Sequence, residues 1–518
     1  MAGGIIIRTE KRQRMALALV LIIGAICVNG SSRQTPGYPK ESAFVPIPDF
    51  QIGTGNRRYL PQEWESVTVT RYARSIISGS RYVGIGTTGG LLVYDRMRQR
   101  WHTLLTKADG LPYNSVDRVE LESSGGFALF SRGWTALFEP ATQRLQSDPF
   151  LQPMVRGVEV RLPSNLYAGP EYQYFSDGRI AGPDGWAVPV MDAGRDDDTG
   201  FWLATWGLGS GRADLYSLRL KMEPHGLWHS DVRALTLSGG MLMAGGFGDA
   251  WASGGITELR LRDQKWTYVL ASDSPGLLSD RVAALALDGE VLWVAAEGGV
   301  SRRSGNGRWR TWTQTDGLPD GRTTAIAVGS GAAWIGTLEG AVAVAGDSLT
   351  SVLPLRGRIV RDIVAGAEAV WWATDAGAHV YRGNWNEGQF LRIDHPDGRL
   401  DGQIDAVGTY RNEVWWASAS GIVAYDSRDG EWLEVPVVGP FSPGQVTDLA
   451  VGGENVWVAS TTGVWRLIRE SGEWFHYDEP DGLIDRRVWS VAADNNVVWF
   501  GTAGGLTRFD WSQRKKMP

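Results

Sequence analysis

The sequence predicts an all-β protein built from one small repeated unit, and three observations carry that reading. The first is a strand of apolar–Trp–apolar–small–Thr/Ser type, followed by a Gly-containing turn, that recurs along most of the chain. Its clearest copies are Val456–Ser460 and Val498–Thr502, with Ala333–Thr337, Leu292–Ala296, Val370–Thr374, Val414–Ser418 and Phe201–Thr205 beside them. Weaker copies lie at Tyr82–Thr87, Phe127–Ser131, Met241–Gly245 and, most degenerate, Leu166–Gly169. Aligned on the Trp position, the copies run from residue 84 to residue 499 in ten intervals with a mean of 41.5 residues. The second observation is composition: 67 glycines and 25 tryptophans in 518 residues, where glycine normally supplies only ~7%. Glycine at that level without a G-X-Y period means many tight turns, and the tryptophan excess fits one or two per repeat. The third is that no segment of the repeat region holds a helical apolar period, whereas short alternating runs bounded by Gly and Asn are frequent. A repeat of about 40–45 residues containing four short strands is the signature of a propeller blade. The expected fold is a β-propeller of about 10–11 four-stranded blades, in one large ring or two smaller rings.

The segments follow in chain order. Arg8, Lys11, Arg12 and Arg14 precede an uncharged apolar run, Met15–Val28, which is the basic and hydrophobic layout of a secretory signal. The run is shorter than the roughly 20 residues that span a bilayer. Residues 1–30 are therefore expected to be a signal peptide cut ahead of Ser31, or an uncleaved N-terminal anchor. Either puts the rest of the chain outside the cytoplasm. Residues 31–60, with Pro36, Pro39, Pro46 and Pro48, form a Pro-rich linker. Residues 61–511 are the repeats, and 512–518 a basic tail.

Within one repeat the strands are lettered a to d from the centre outward. Trp432–Val435 is an outer strand, Val446–Val451 the next inner one, and Gly452–Asn455 a hairpin turn of the kind Gly and Asn favour. The first recognisable strand, Trp64–Thr70, has the outer pattern, while the last, Gly505–Phe509, has the third-strand pattern and lacks an outer partner. Open blades at both ends would leave long unpaired edges, which soluble β proteins avoid. Pairing of these N- and C-terminal strands closes the structure.

The strand pair and the preceding Asp-Gly-Leu element (Asp109-Gly-Leu111, Asp316-Gly-Leu318, Asp481-Gly-Leu483) closely resemble the two-component regulator propeller repeat, over about residues 64–511. That resemblance implies an extracytoplasmic propeller of the bacterial envelope with a sensory or scaffolding role. The chain carries eleven units rather than the fourteen of two seven-bladed rings, and no kinase portion.

Composition excludes several classes. Hydrophobic residues make up 43% and charged residues 21%, so the chain is neither disordered nor wholly membrane-embedded. Net charge is −7 with acids and bases interspersed, which is no footprint for nucleic acid. A single cysteine, Cys27, excludes an intramolecular disulfide framework and a cysteine zinc site.

Motifs that could carry chemistry are few. The aspartates of the Asp-Gly-Leu elements are expected to cap turns, with the leucines filling space between blades. Arg195–Gly200, with three successive aspartates, reads as a solvated turn rather than a calcium loop. His102, His225, His229, His379, His395 and His476 are scattered, and no H-E-x-x-H, phosphate loop or nucleophile elbow is present. No catalytic residue, metal site or cofactor is expected.

One constellation departs from the repeat. The interval from 242 to 293 has 51 residues, and its surplus falls in the loop Gly246–Gly255. The preceding unit has an unusual loop at Trp206–Gly211, and Pro224–His229 runs between them. These loops should emerge on one face and present Trp206, His225, Trp228, His229, Phe247, Asp249 and Trp251 as a binding site, since aromatics on a rigid scaffold suit recognition. The expected function is an exported, non-catalytic binding module whose partner is a protein, glycan or small-molecule ligand of the envelope. Contact with membrane would come only through an uncleaved N-terminal anchor. A propeller lyase or hydrolase, and a secretion or assembly factor, are the alternatives.

Overall fold

The computed structural model describes residues 63–511, apart from 154–171, 176, 183–184, 197–199, 215, 218, 249–252, 367, 437–444 and 495. Its strands form ten antiparallel sheets, nine of four strands and one of six. Ten of the eleven expected units are thereby accounted for. Leu166–Gly169 lies outside the described residues.

The packing of inner strands answers the question of one ring or two. Seven inner strands pack side by side in chain order: Val232–Ser238, Val282–Asp288, Thr323–Gly329, Val360–Ala365, Ala406–Tyr410, Val446–Gly452 and Val488–Asp494. The seventh packs back against the first. These are blades 1 to 7 of one closed ring. The other three sheets, with inner strands Ala73–Ser78, Arg118–Leu121 and Ala187–Arg195, pack together as an arc centred on Ala73–Ser78. The arc is an insert in the ring. The chain enters it directly after Trp64–Val67 and leaves it directly before Val232.

Closure by the two ends of the chain holds. Trp64–Val67 pairs with Leu506–Phe509 and supplies the fourth strand of blade 7. The Trp64 ring stacks on Phe509 at 4.4 Å. The strand is shorter than the expected Trp64–Thr70 because Thr68 turns away, its hydroxyl donating to the Gly89 carbonyl at 2.6 Å.

The repeated residues have physical causes. Second strands such as Asn455–Ser460 are buried on both faces, because each blade is sandwiched between two others. Their tryptophans are core: Trp334, Trp372, Trp416 and Trp457 are all at most 1% exposed. The Thr or Ser ending that strand donates its hydroxyl to a carbonyl three residues on, as in Thr337 to Gly340 and Thr502 to Gly505, both 2.8 Å. The glycine there has φ of +139° and +138° respectively, and at Gly505 a Cβ would sit 2.4 Å from the Val67 carbonyl oxygen. Only glycine lets the outer strand come that close.

The Asp-Gly-Leu aspartates are caps, as expected. Asp109, Asp316 and Asp481 each accept the amide of the residue three before them at 2.8–3.0 Å. Leu111, Leu318 and Leu483 are buried.

Eight of the ten inner strands carry a bulge, seven of them one residue in from their start, as between Val360 and Asp362, and Ala187–Arg195 between Val190 and Asp192. A bulge re-aims a side chain, and here it reaches the neighbouring sheet. Asp362 accepts the Val407 amide at 2.9 Å, Asp448 the Val491 amide at 2.7 Å, and Asp192 the Ile76 amide at 2.9 Å. Ser75 accepts the Val119 amide in the same way at 3.1 Å.

Candidate functional site at the joint between ring and insert

The chain crosses from ring to insert twice, and the two crossings lie side by side. Val69 and Gly226 form an antiparallel bridge, as do Tyr72 and Trp206. The Leu227 amide donates to the Thr68 carbonyl at 2.9 Å, and the Thr70 hydroxyl to the His225 carbonyl at 2.6 Å. Gly226 has φ +77°, and a Cβ there would lie 2.5 Å from the Thr68 carbonyl oxygen. Any other residue would push the crossings apart.

Four of the seven sequence-predicted site residues belong to this joint. Trp206 packs on Tyr72 at 5.2 Å, with the Arg74 guanidinium 5.3 Å from its ring. Trp228 receives the Arg71 guanidinium on its face at 3.6 Å and leans on Tyr268 at 5.3 Å. The Tyr268 hydroxyl donates to the Gly226 carbonyl at 3.1 Å, and burial holds its acidity well below that of a free tyrosine. The His225 ring sits between Trp101 of the insert (5.1 Å) and Trp266 of blade 1 (5.3 Å). Burial among these rings lowers its pKa to about 3, so it is neutral in the physiological range. His229 is buried, with Nε2 3.2 Å from the Gly255 carbonyl.

Phe247 lies elsewhere, between the guanidinium groups of Arg233 (4.6 Å) and Arg281 (4.5 Å). Arg233 also reaches Trp489 of blade 7 at 4.6 Å. Asp249 and Trp251 lie outside the described residues. The sequence reading missed Arg71, Tyr72, Trp101 and Tyr268. For Arg71 and Tyr72 the signal is that Val69–Arg74 stands where an ordinary connection between blades belongs; Trp101 and Tyr268 sit in ordinary outer strands and give none.

Beside the joint opens a cleft of about 920 Å³. Its walls are the outer strand of blade 7 (Trp64–Val67), the outer strand of the first insert sheet (Trp101–Leu105), and Leu259, Leu261, Gln264 and Trp266 of blade 1. His225 and Trp499 also line it, together with Asp109, Asp494, Gln143 and Arg508. Arg508 is held by Asp510 at 2.9 Å and lies 3.8 Å from Glu65. The lining therefore has three carboxylates, Glu65, Asp109 and Asp494, against one guanidinium, which Asp510 already holds.

Among the described residues no group of three or more His, Cys, Asp or Glu could hold a metal ion. In the Arg195–Gly200 turn, Asp196 is buried and ion-paired to Arg96 (2.9 Å) and Arg212 (2.7 Å), a clasp between insert sheets.

No family model and no curated protein matches the chain. Solved structures do. The extracellular domain of the hybrid two-component system BT4673 from B. thetaiotaomicron aligns at TM-score 0.43 and 14% identity, over 85% of this chain and 70% of that one. PorZ, a surface component of the type-IX secretion system of Porphyromonas gingivalis, aligns at 0.46 and 15%, over 85% and 68%. Virginiamycin B lyase from Staphylococcus aureus aligns at 0.44 and 17%, over 54% and 95%.

Proposed function

We propose that this chain is an exported, non-catalytic β-propeller that binds a partner of the bacterial envelope at the joint between ring and insert. Export rests on the leader, in which four basic residues precede the apolar run Met15–Val28. One observation supports the binding role above the rest. Beside the joint, Trp64, Trp101, Trp266 and Trp499, with His225 of the joint itself, line an open cleft of about 920 Å³, near the top of the usual range for ligand sites, roughly 300–1,000 Å³.

Two measurements test the reading. A reporter fused to residues 1–60 should appear outside the cytoplasm, and retention inside would overturn export. For binding, the exported protein and a Thr103→Trp variant, which fills the cleft, are each used to capture ligands from envelope extract, identified by mass spectrometry. The variant should lose what the parent retains. Identical captures by both would remove the cleft from the proposal.

A further inference from the structure

The cleft touches Trp64, Glu65, Ser66 and Val67 without a gap, and Trp101 through Leu105 without a gap. Successive side chains of a strand point to opposite faces. A cavity that meets every residue in turn must therefore run along the strand's edge. Both strands are the last in their sheets; Trp64, Ser66 and Val67 are buried, whereas Arg100–Leu105 is half-buried along most of its length and is the edge within reach of a ligand. Natural proteins blunt such edges with lysine, proline or bulges, and His102 is the extra residue of one bulge in Arg100–Leu105. Lysine and proline are both absent from Trp64–Val67 and Arg100–Leu105.

A second feature concerns the hairpins beside the cleft. In blades 5 and 6 the residue just before the outer strand is glycine in the left-handed region, Gly430 at φ +76° and Gly472 at +71°. In the first and second insert sheets and blade 1, the three sheets that supply the hairpins around the cleft, it is glutamine: Gln99 at +50°, Gln143 at +57° and Gln264 at +52°. A side chain in that region is strained, and two of these three amides line the cleft. Gln143 reaches the Pro140 carbonyl and His102, both at 2.9 Å. Gln264 is exposed. Amide groups complement peptide groups as both donor and acceptor.

We propose that the cleft takes up an extended, neutral-to-basic peptide segment of a partner protein as an added β-strand, with Gln264 and Gln143 holding its backbone. Strand addition gives main-chain hydrogen bonds, while pockets for alternate side chains give selectivity. Leu237, Leu259, Leu261 and Val497 supply the apolar pockets. Glu65, Asp109 and Asp494 set the sign of the charge, because Arg508 is held by Asp510, outside the lining, at 2.9 Å. This inference rests on the binding role proposed above and specifies its ligand.

The experiment is selection of a phage-displayed heptapeptide library on the full exported protein, with counter-selection on Thr103→Trp. Enriched peptides should alternate apolar and polar residues and carry zero or positive net charge. Synthetic copies methylated on alternate backbone nitrogens should bind at least tenfold more weakly, measured by fluorescence anisotropy. Glu65→Lys with Asp494→Lys, both exposed positions, should weaken binding at least tenfold with an unchanged circular dichroism spectrum. Gln264→Gly should raise the melting temperature and weaken binding severalfold, a combination that a merely structural glutamine would not give. Failure to enrich any peptide, enrichment of acidic ones, or indifference to N-methylation would each overturn the proposal. If the peptides fail while the envelope capture still separates parent from Thr103→Trp, the binding role stands and its ligand is not a strand.

Discussion

Asp362 and Asp448 are unusual carboxylates, held inside the ring at bulges and accepting amides of neighbouring blades. Burial, and for Asp362 also the charge of Asp448, raises both above the ordinary carboxylate range, to about 8 and about 6. The folded protein therefore binds more protons than the unfolded chain from about pH 4 up through those values, so stability falls as pH rises across that window. The urea midpoint should decline between pH 5 and pH 9, and Asp362→Asn should flatten much of that decline. A midpoint that rose over the same range would contradict the assignment. None of this was legible in the sequence. Asp362 and Asp448 occupy positions where other blades have Ala or Ser, and only the bulge turns them toward the next strand.

Strands are the scale at which the sequence spoke most clearly. A second strand must be apolar on both faces because blades cover both, so the Trp-centred pattern survives in nearly every unit. Trp457 shows what that pattern secures: it meets Tyr477, Phe500, Phe509 and Trp511 at 5.5–6.1 Å. Trp457→Ala should cost about 3–5 kcal/mol in chemical denaturation. Trp64→Ala should cost a similar ~3–5 kcal/mol although it lies 393 residues from Trp457 in the chain, because Trp64 stacks on the same Phe509. A loss under about 1 kcal/mol at either position would mean the cavity collapses without penalty. The loops singled out for departing from the repeat were read less well. Two tryptophans and two histidines depart from it because they join ring to insert. A joint and a binding loop leave the same trace in one sequence, since both replace repeat residues with aromatics and glycines.

For the whole molecule, ring arithmetic was the unread part. A mean period counts units and does not say which inner strands are neighbours. The insert hides inside the series because its sheets use the same strand pattern as the blades. The joint makes the distinction testable. Val69 and Gly226 are bridge partners, so joining Thr70 directly to His225 would leave a two-residue hairpin. Residues 71–224 can then be removed, with Asn-Gly placed at Thr70 and His225 to suit the turn. The resulting seven-bladed ring should fold as a monomer with a single cooperative melt, checked by light scattering and circular dichroism. An aggregated or molten product would show that the ring depends on its insert.

The closing strand also sets a calendar. Trp64–Val67 leaves the ribosome among the first described residues, yet its partner Leu506–Phe509 is among the last of them. Between those moments the three insert sheets have all their described strands by residue 223, while the ring cannot shut. Biogenesis must therefore keep one bare strand waiting through some 440 residues of synthesis, with the early-formed insert beside it as the nearest shelter. A nascent chain arrested near residue 290 should already yield a protease-resistant fragment spanning the insert. Resistance of the first ring blades should appear only after Asp510 emerges.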